Sequence, residues 1–514
     1  MDLSSHIMAQ PKKSPTFDIP RDISGDSDEK MVDVKQTRSL QDGQVENVHD
    51  KPFTVLSAMG IGHGTTNTAV GLILTVATTL SMGGSPLFFW GFLLMAVVGL
   101  ATATSLAELV SAMPHPGGQY VWVEKLSPPG PRRFLSYLTA IMSWFGAVST
   151  GASACLAVPT GLVAIVTFVN PDVEYKPWMG FLGYQLLNFL TLLAACFESA
   201  LPKISKGLLV FTISYIFATF ICLFAMAPER ASASDFFITT TNVSGWPNGV
   251  AWLIGLNGAN WSFSCLDVIV HITDEIPQPR TNVPKALMWT IIVGFGSGML
   301  IVLGVLVNLP DIDPTVDSTP LAIYYRICND NQAAAIGLWL FPLISTIGAV
   351  WGIHTWQSRL AWSLSRQGGF PFASYLGRIA PSPFHTPVWS LVWSSLATSI
   401  FGCLYLGSQT AFLSLVSAGI LLQYLSYSIP VIMMLRRGRS TFEHGPFWYP
   451  RLGYLANIVM LCWMVTALVF YCLPYYLPVE AAEMNYVSGV LGAVFLFTAS
   501  MWFLHARKNY RLLE

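Results

Sequence analysis

Twelve apolar stretches follow one another from residue 53 to residue 505, with short polar connections between them. A helix needs about 20 apolar residues to cross the hydrocarbon core of a bilayer. The succession therefore restricts the chain to an all-α polytopic membrane protein with 12 transmembrane helices. The expected spans are 53–79, 84–112, 134–169, 179–200, 207–228, 249–272, 287–309, 334–364, 387–406, 410–435, 453–474 and 485–505. The third and eighth are long enough to tilt or to project beyond the lipid. Charged residues make up 11% of the chain and hydrophobic ones 53%, whereas a soluble chain carries roughly 25% charged residues. Residues 1–51 are polar, mixed in charge and poor in aromatics, which predicts a disordered tail. They hold no apolar core of signal-peptide type, so the first span must serve as the targeting signal. Residues 52–506 then form the twelve-helix domain and 507–514 a short C-terminal tail.

Lysine and arginine set the orientation, because they are retained on the cytoplasmic side. With the N-terminus inside, the inner connections and the C-terminal tail hold sixteen basic residues, from Lys125 to Arg511, and the outer connections only Lys176, Arg230 and Arg326. Both termini are expected in the cytoplasm, most simply beneath the plasma membrane. The connections 229–248 and 310–333 then face outward, and Asn242-Val-Ser becomes a glycosylation sequon on that side.

Two spans carry an unusual polar and glycine content. The first holds Met59-Gly-Ile-Gly-His-Gly-Thr-Thr-Asn67, and the sixth holds Gly255-Leu-Asn-Gly-Ala-Asn-Trp-Ser-Phe-Ser-Cys-Leu-Asp267. Each glycine weakens a helix by roughly 1 kcal/mol. Two such interruptions five helices apart are the mark of a five-plus-five inverted repeat with broken helices 1 and 6. Small residues that let helices pack closely explain a single case equally well; the matched pair favours a solute site where the breaks meet. Half-helix ends offer N–H groups to a carboxylate and carbonyls to a cation. Candidate substrate-binding residues are Gly60, Gly62, His63, Gly64, Thr65, Thr66 and Asn67 from the first span, and Gly258, Asn260, Trp261 and Ser262 from the sixth.

Asp267 is the most informative single residue. A carboxylate in mid-membrane normally faces a cavity or a partner, and His271 lies four residues on, on the same helical face. One reading gives Asp267 a cationic substrate or a coupled proton, with His271 as relay. The other gives it only the task of holding the break in shape. Glu108 is either a proton acceptor or inner gate, or a carboxylate that pairs with a loop cation. Trp144 and Trp351 add aromatic faces for an ammonium group, although packing is the commoner role. Ser345 and Thr346 offer hydroxyls for a sodium ion or for helix packing. The coupling ion, proton or sodium, stays open.

A net charge of −1 and the lack of a basic block give nucleic acid no footing. The eight cysteines show no CxxC spacing, so neither a disulfide framework nor a metal site is indicated. No phosphate-binding loop, nucleophile elbow or zinc motif occurs, so no cofactor and no enzymatic activity are expected.

The Met59–Asn67 run, Ala107-Glu-Leu-Val-Ser-Ala-Met-Pro-His-Pro-Gly-Gly-Gln-Tyr120, Asn260-Trp-Ser-Phe-Ser-Cys-Leu-Asp267, His271-Ile-Thr-Asp-Glu-Ile-Pro277 and Val283-Pro-Lys-Ala286 resemble the fungal amino acid/choline transporter family of the amino acid–polyamine–organocation superfamily. The resemblance covers about residues 50–510. Leu266-Asp267 is closer to the choline permeases than to the GABA permeases, and Asp274-Glu275 matches an acidic pair of the family, which implies an inner-side structural or gating role near Arg280 and Lys285. His63 departs from the pattern, where a small or apolar residue is expected. The resemblance implies a secondary transporter that imports a small amine (amino acid, GABA or choline) by alternating access, as a symporter in the lipid bilayer. A nutrient sensor on the same scaffold is the alternative.

Overall fold

The computed structural model describes residues 53–197, 201–314, 316–407, 410–481 and 484–513. The tail expectation for residues 1–51 lies outside them. Every regular element among the described residues is helical. The spanning elements are α1 (Val55–Thr66), α2 (Thr68–Ala112), α4 (Arg132–Val169), α5 (Pro177–Ala195), α6 (Leu201–Met226), α7 (Asn248–Trp261) with the 3-10 segment Leu266–Glu275, α8 (Pro279–Leu306), α9 (Gln332–Arg366), α10 (Val388–Gly402), α11 (Ala411–Arg437), α12 (Pro450–Phe470) and α13 (Val487–Met501). A short helix, α3 (Gln119–Leu126), lies between α2 and α4.

Among the described residues eleven helical stretches are long and apolar enough to cross a membrane, and the first, Val55–Ala112, is 58 residues long. At 1.5 Å per residue it would run to about 87 Å, nearly three times the hydrocarbon thickness. It doubles back instead. Gly71 abuts Ser262 while Gly99 abuts the adjacent Phe263, and Leu72 and Phe92 both meet Gly298. The reversal is at Gly84, with φ +67° and ψ −159°. A side chain there is disfavoured by the positive φ and would also meet Thr241 N at 2.9 Å. The stretch thus supplies two spans, and the chain is a twelve-helix multi-pass membrane protein.

Helix limits follow from local chemistry. Thr54 caps α1: its hydroxyl accepts from the Ser57 N–H, and the Ser57 hydroxyl accepts from the Thr54 N–H. Proline begins α5, α8 and α12, where its missing N–H would have no partner in any case. The long third and eighth spans are borne out, at 38 and 35 residues.

Large apolar side chains cover the outside of the bundle, among them Leu186 and Phe189 on α5, Phe217 and Ile221 on α6, and Trp289 on α8. In water such a surface would aggregate; in lipid it is the solvated face. Inside, α2 packs along α7 and α8, and α4 packs along α9 and α11.

Both predicted breaks exist, but each lies a few residues beyond the glycines. Gly60, Gly62 and Gly64 are helical, and the first break is the single residue Asn67, in the left-handed region at φ 45°, ψ 53°. Gly255, Gly258 and Asn260 are helical too, and the second break spans Ser262–Cys265, with Cys265 left-handed at φ 63°. The glycines serve close packing: a side-chain carbon at Gly60 would meet Ser205 O at 3.0 Å, one at Gly258 would meet Thr75 Oγ1 at 2.5 Å, and one at Gly62 would run into Ile269 and Thr290.

The expected C-terminal tail is not loose at its start. Tyr510 is buried, its hydroxyl 2.7 Å from Ser136 Oγ, and the Arg511 N–H donates to Gln367 O at 2.8 Å.

Candidate functional site

The two breaks face one small cavity of about 20 Å³, room for on the order of one water. Thr65, Thr66, Asn67, Val70 and Gly71 line it from the first break, Trp261, Ser264 and Cys265 from the second, Thr150 and Ala154 from α4, and Thr346, Ala349 and Ile353 from α9. Helix α1 ends here with its carbonyls, as does α7, while α2 and the 3-10 segment begin here with their N–H groups. Thr65 Oγ1, Thr66 Oγ1 and Asn67 Oδ1 are buried and find no hydrogen-bond partner among the described residues. Buried polar atoms are rarely left so, and all three belong to residues that line the cavity. Among the described residues no carboxylate lines the cavity.

Asp267 is fully buried, two residues past the left-handed Cys265 and behind the cavity wall rather than on it. The Tyr427 hydroxyl donates to its Oδ1 at 2.6 Å, and Gln119 Nε2 donates to its Oδ2 at 2.7 Å. His271 Nε2 lies 3.2 Å from Oδ2, and His271 Nδ1 lies 2.6 Å from the Pro116 carbonyl oxygen. A chain of close polar contacts joins this cluster to the cavity. Tyr427 OH is 3.2 Å from Gln423 Oε1, which accepts the Cys265 N–H at 2.8 Å, and Gln423 Nε2 donates to Thr150 Oγ1 at 3.0 Å. Gln119, Thr150, Gln423 and Tyr427 were not singled out from sequence.

On its other side His271 borders a vestibule of about 420 Å³, with Asp274, Glu275, Arg359 and His385. Arg359 Nε donates to Glu275 Oε1 at 2.9 Å across it. Phe53, Pro116, Pro202, Trp362, Ile379 and Pro387 complete the wall among the described residues, so the vestibule lies at the end of the bundle where the basic connections gather.

The remaining candidates fall elsewhere. Asn260 is engaged on both sides of its amide, by Tyr424 OH at 3.0 Å and Tyr471 OH at 3.1 Å. Ser262 bonds back to Gly258 O. Trp144 donates to Ser394 Oγ and packs among Phe145, Phe370 and Trp393. Trp351 borders a second small cavity with Gly60 and Gly64. His63 is fully buried but does not line the central cavity. Ser345 accepts from Asn67 Nδ2 at 2.9 Å and lies 2.9 Å from the Thr212 hydroxyl, and Thr346 bonds Pro342 O while touching the cavity. Glu108 is held by both terminal nitrogens of Arg439, at 2.8 and 2.9 Å. Asn242 Nδ2 donates to Trp246 O and Asn248 Oδ1.

The family model described as "Amino acid permease" matches residues 53–496. The chain belongs to the amino acid permease family. This permease is 56% identical over 485 residues to the "Transmembrane transporter swnT" of Metarhizium robertsii, a match that covers 94% of this chain and 97% of that one. It is 54% identical over 483 residues to the "Swainsonine transporter swnT" of Arthroderma benhamiae, covering 94% and 96%. It is 33% identical over 502 residues to the "Choline transporter" of Saccharomyces cerevisiae, covering 96% and 88%. The permease is thus a transporter by family rather than an enzyme, and the fungal resemblance read from its motifs holds.

Proposed function

We propose that the permease carries a small hydroxylated amine of the swainsonine type across the membrane by alternating access around the cavity between the two breaks. The observation that carries this reading is that three cavity-lining residues hold buried oxygens without a partner, Thr65 Oγ1, Thr66 Oγ1 and Asn67 Oδ1, which can bond the hydroxyl groups of such a guest. The high identity to two swnT proteins along nearly the whole chain supports it. Carbonyls at the ends of α1 and α7 turn their negative poles toward an ammonium group. A choline-like quaternary ammonium fits less well, because among the described residues Trp261 is the single aromatic ring lining the cavity and a cation–π cage needs several faces. At about 20 Å³ the cavity admits such a guest only after a half-helix moves, as alternating access requires. The bias of lysine and arginine supports a cytoplasmic side for the basic connections, and with them for the vestibule. Sodium is disfavoured, since Ser345 already spends its oxygen on Asn67 and Thr212.

The test is uptake of radiolabelled swainsonine in cells lacking their own route, with choline, GABA and neutral amino acids as competitors. Swainsonine should be carried and should compete best. Thr66→Val should raise KM about tenfold, the loss of one good hydrogen bond, with unchanged thermal stability. Choline carried while swainsonine neither enters nor competes would overturn the assignment. Saturable binding without flux would instead restore the sensor.

A further inference from the structure

We propose that Asp267 and His271 form a single-proton carrier, and that this proton and a cationic amine in the central cavity exclude one another, so that the permease exchanges amine for proton. The inference rests on the permease reading above and gives it a coupling ion and a direction.

The proton count follows from the partners. Pro116 offers His271 Nδ1 only a carbonyl oxygen, at 2.6 Å, and a carbonyl can only accept. Nδ1 therefore carries a hydrogen. His271 Nε2 then faces Asp267 Oδ2 at 3.2 Å. A bare ring nitrogen opposite an ionised carboxylate would set two lone pairs against each other. One further proton must lie between them, and the pair holds it as imidazolium and carboxylate or as imidazole and carboxylic acid. In either form the pair is neutral overall.

Loss of that proton leaves one net negative charge in a fully buried cluster. Such a charge needs compensation. A cationic amine faces the converse difficulty, since no carboxylate lines its cavity. The path Asp267–Tyr427–Gln423–Thr150 joins the two places. Deprotonating the pair supplies the counter-charge for the amine, and reprotonating it removes that counter-charge. His271 borders the vestibule, which gives the proton its exit. Once the proton has left, the 3.2 Å contact is repulsive and the ring is released from Asp267.

The other charged and titratable groups around the pair leave it this role. Cys265 lies on the cavity side, while Asp274 and Glu275 border the vestibule, where Arg359 pairs with Glu275. His385 borders the same space. His115, in the connection beside Pro116, is held down at about 4, by burial first and then by Lys125, Arg366 and His271, so its ring stays neutral. The exchange reverses the symport sense expected from the sequence: in a cell with an acidic exterior it drives the amine outward.

Full-length protein in proteoliposomes with an enclosed pH dye tests this with swainsonine as the probe. In the wild type, an acidic interior should drive swainsonine in and alkalinise the lumen. In His271→Gln and Asp267→Asn, gradient-driven accumulation should fall at least about tenfold, and the swainsonine exchange that persists should lose its pH dependence. Accumulation driven by an acidic exterior, or proton movement that survives in His271→Gln, would overturn the proposal. Failure of the wild type to carry swainsonine at all would strike the substrate assignment alone. The pair is then read by infrared titration of the purified protein, where a one-proton carboxyl and imidazole step should vanish in both variants; its persistence in either one overturns the proposal.

Discussion

Replacing Arg439 with alanine should destabilise the permease by about 3–5 kcal/mol, the range for removing one partner of a buried ion pair. Glu108 has no exposed side-chain surface, and the Arg439 side chain is 10% exposed. The guanidinium grips both carboxylate oxygens, the Tyr449 N–H donates to Oε1 at 3.0 Å, and the same guanidinium lies 4.1 Å over the Trp448 ring. The pair fastens the end of α2 to the segment between α11 and α12. Without the arginine a bare carboxylate stays buried. Melting followed by fluorescence-detected size exclusion should show a large drop for Arg439→Ala and partial recovery for Glu108→Gln combined with Arg439→Ala. An unchanged melting temperature in the single variant would show that the pair adds nothing to stability. Of the two roles open to Glu108 in the sequence, this geometry supports pairing with a loop cation.

Gly258→Leu should abolish transport. The first added carbon alone would lie 2.5 Å from Thr75 Oγ1 and 3.0 Å from Thr79 Oγ1, so the leucine must prise α7 from the first arm of α2. Overpacking of this kind costs about 1–3 kcal/mol, and here it acts on the seam beside Trp261. Uptake should fall to background while some folded protein still reaches the membrane. Near-normal uptake would mean that α7 does not work as a closely packed half-helix.

The layout of the spans was legible in the sequence because apolar length is a local property. The existence of both breaks was legible for the same reason, but their positions were not. Glycine marks where a helix is allowed to break and also where another helix approaches closely, and composition alone does not separate the two. At Gly62 and Gly258 the neighbours decide for packing. The residues that leave the helical path are Asn67, whose short amide tolerates the left-handed region, and Cys265, which has no such preference. A left-handed cysteine stores strain of about 1 kcal/mol or more and has no signature in sequence. The cluster around Asp267 was half visible. His271 was found from its spacing of four, whereas Gln119 and Tyr427 reach Asp267 from 148 and 160 residues away, and only the tertiary fold brings them there. Asn260 looked like a ligand as a polar residue beside a break, and the fold adds what its sequence position did not show, a bond from Tyr424 to its oxygen and one to Tyr471 from its nitrogen.

The most direct measurement uses Cys265, which lines the cavity at the second break. In protein whose seven other cysteines are replaced, a small methanethiosulfonate reagent should reach Cys265 during turnover and block uptake. Saturating swainsonine should slow that reaction at least about tenfold, whereas an amine that is not carried should leave it unchanged. A Cys265 that reacts at one rate with or without a transported substrate would place the passage elsewhere in the bundle.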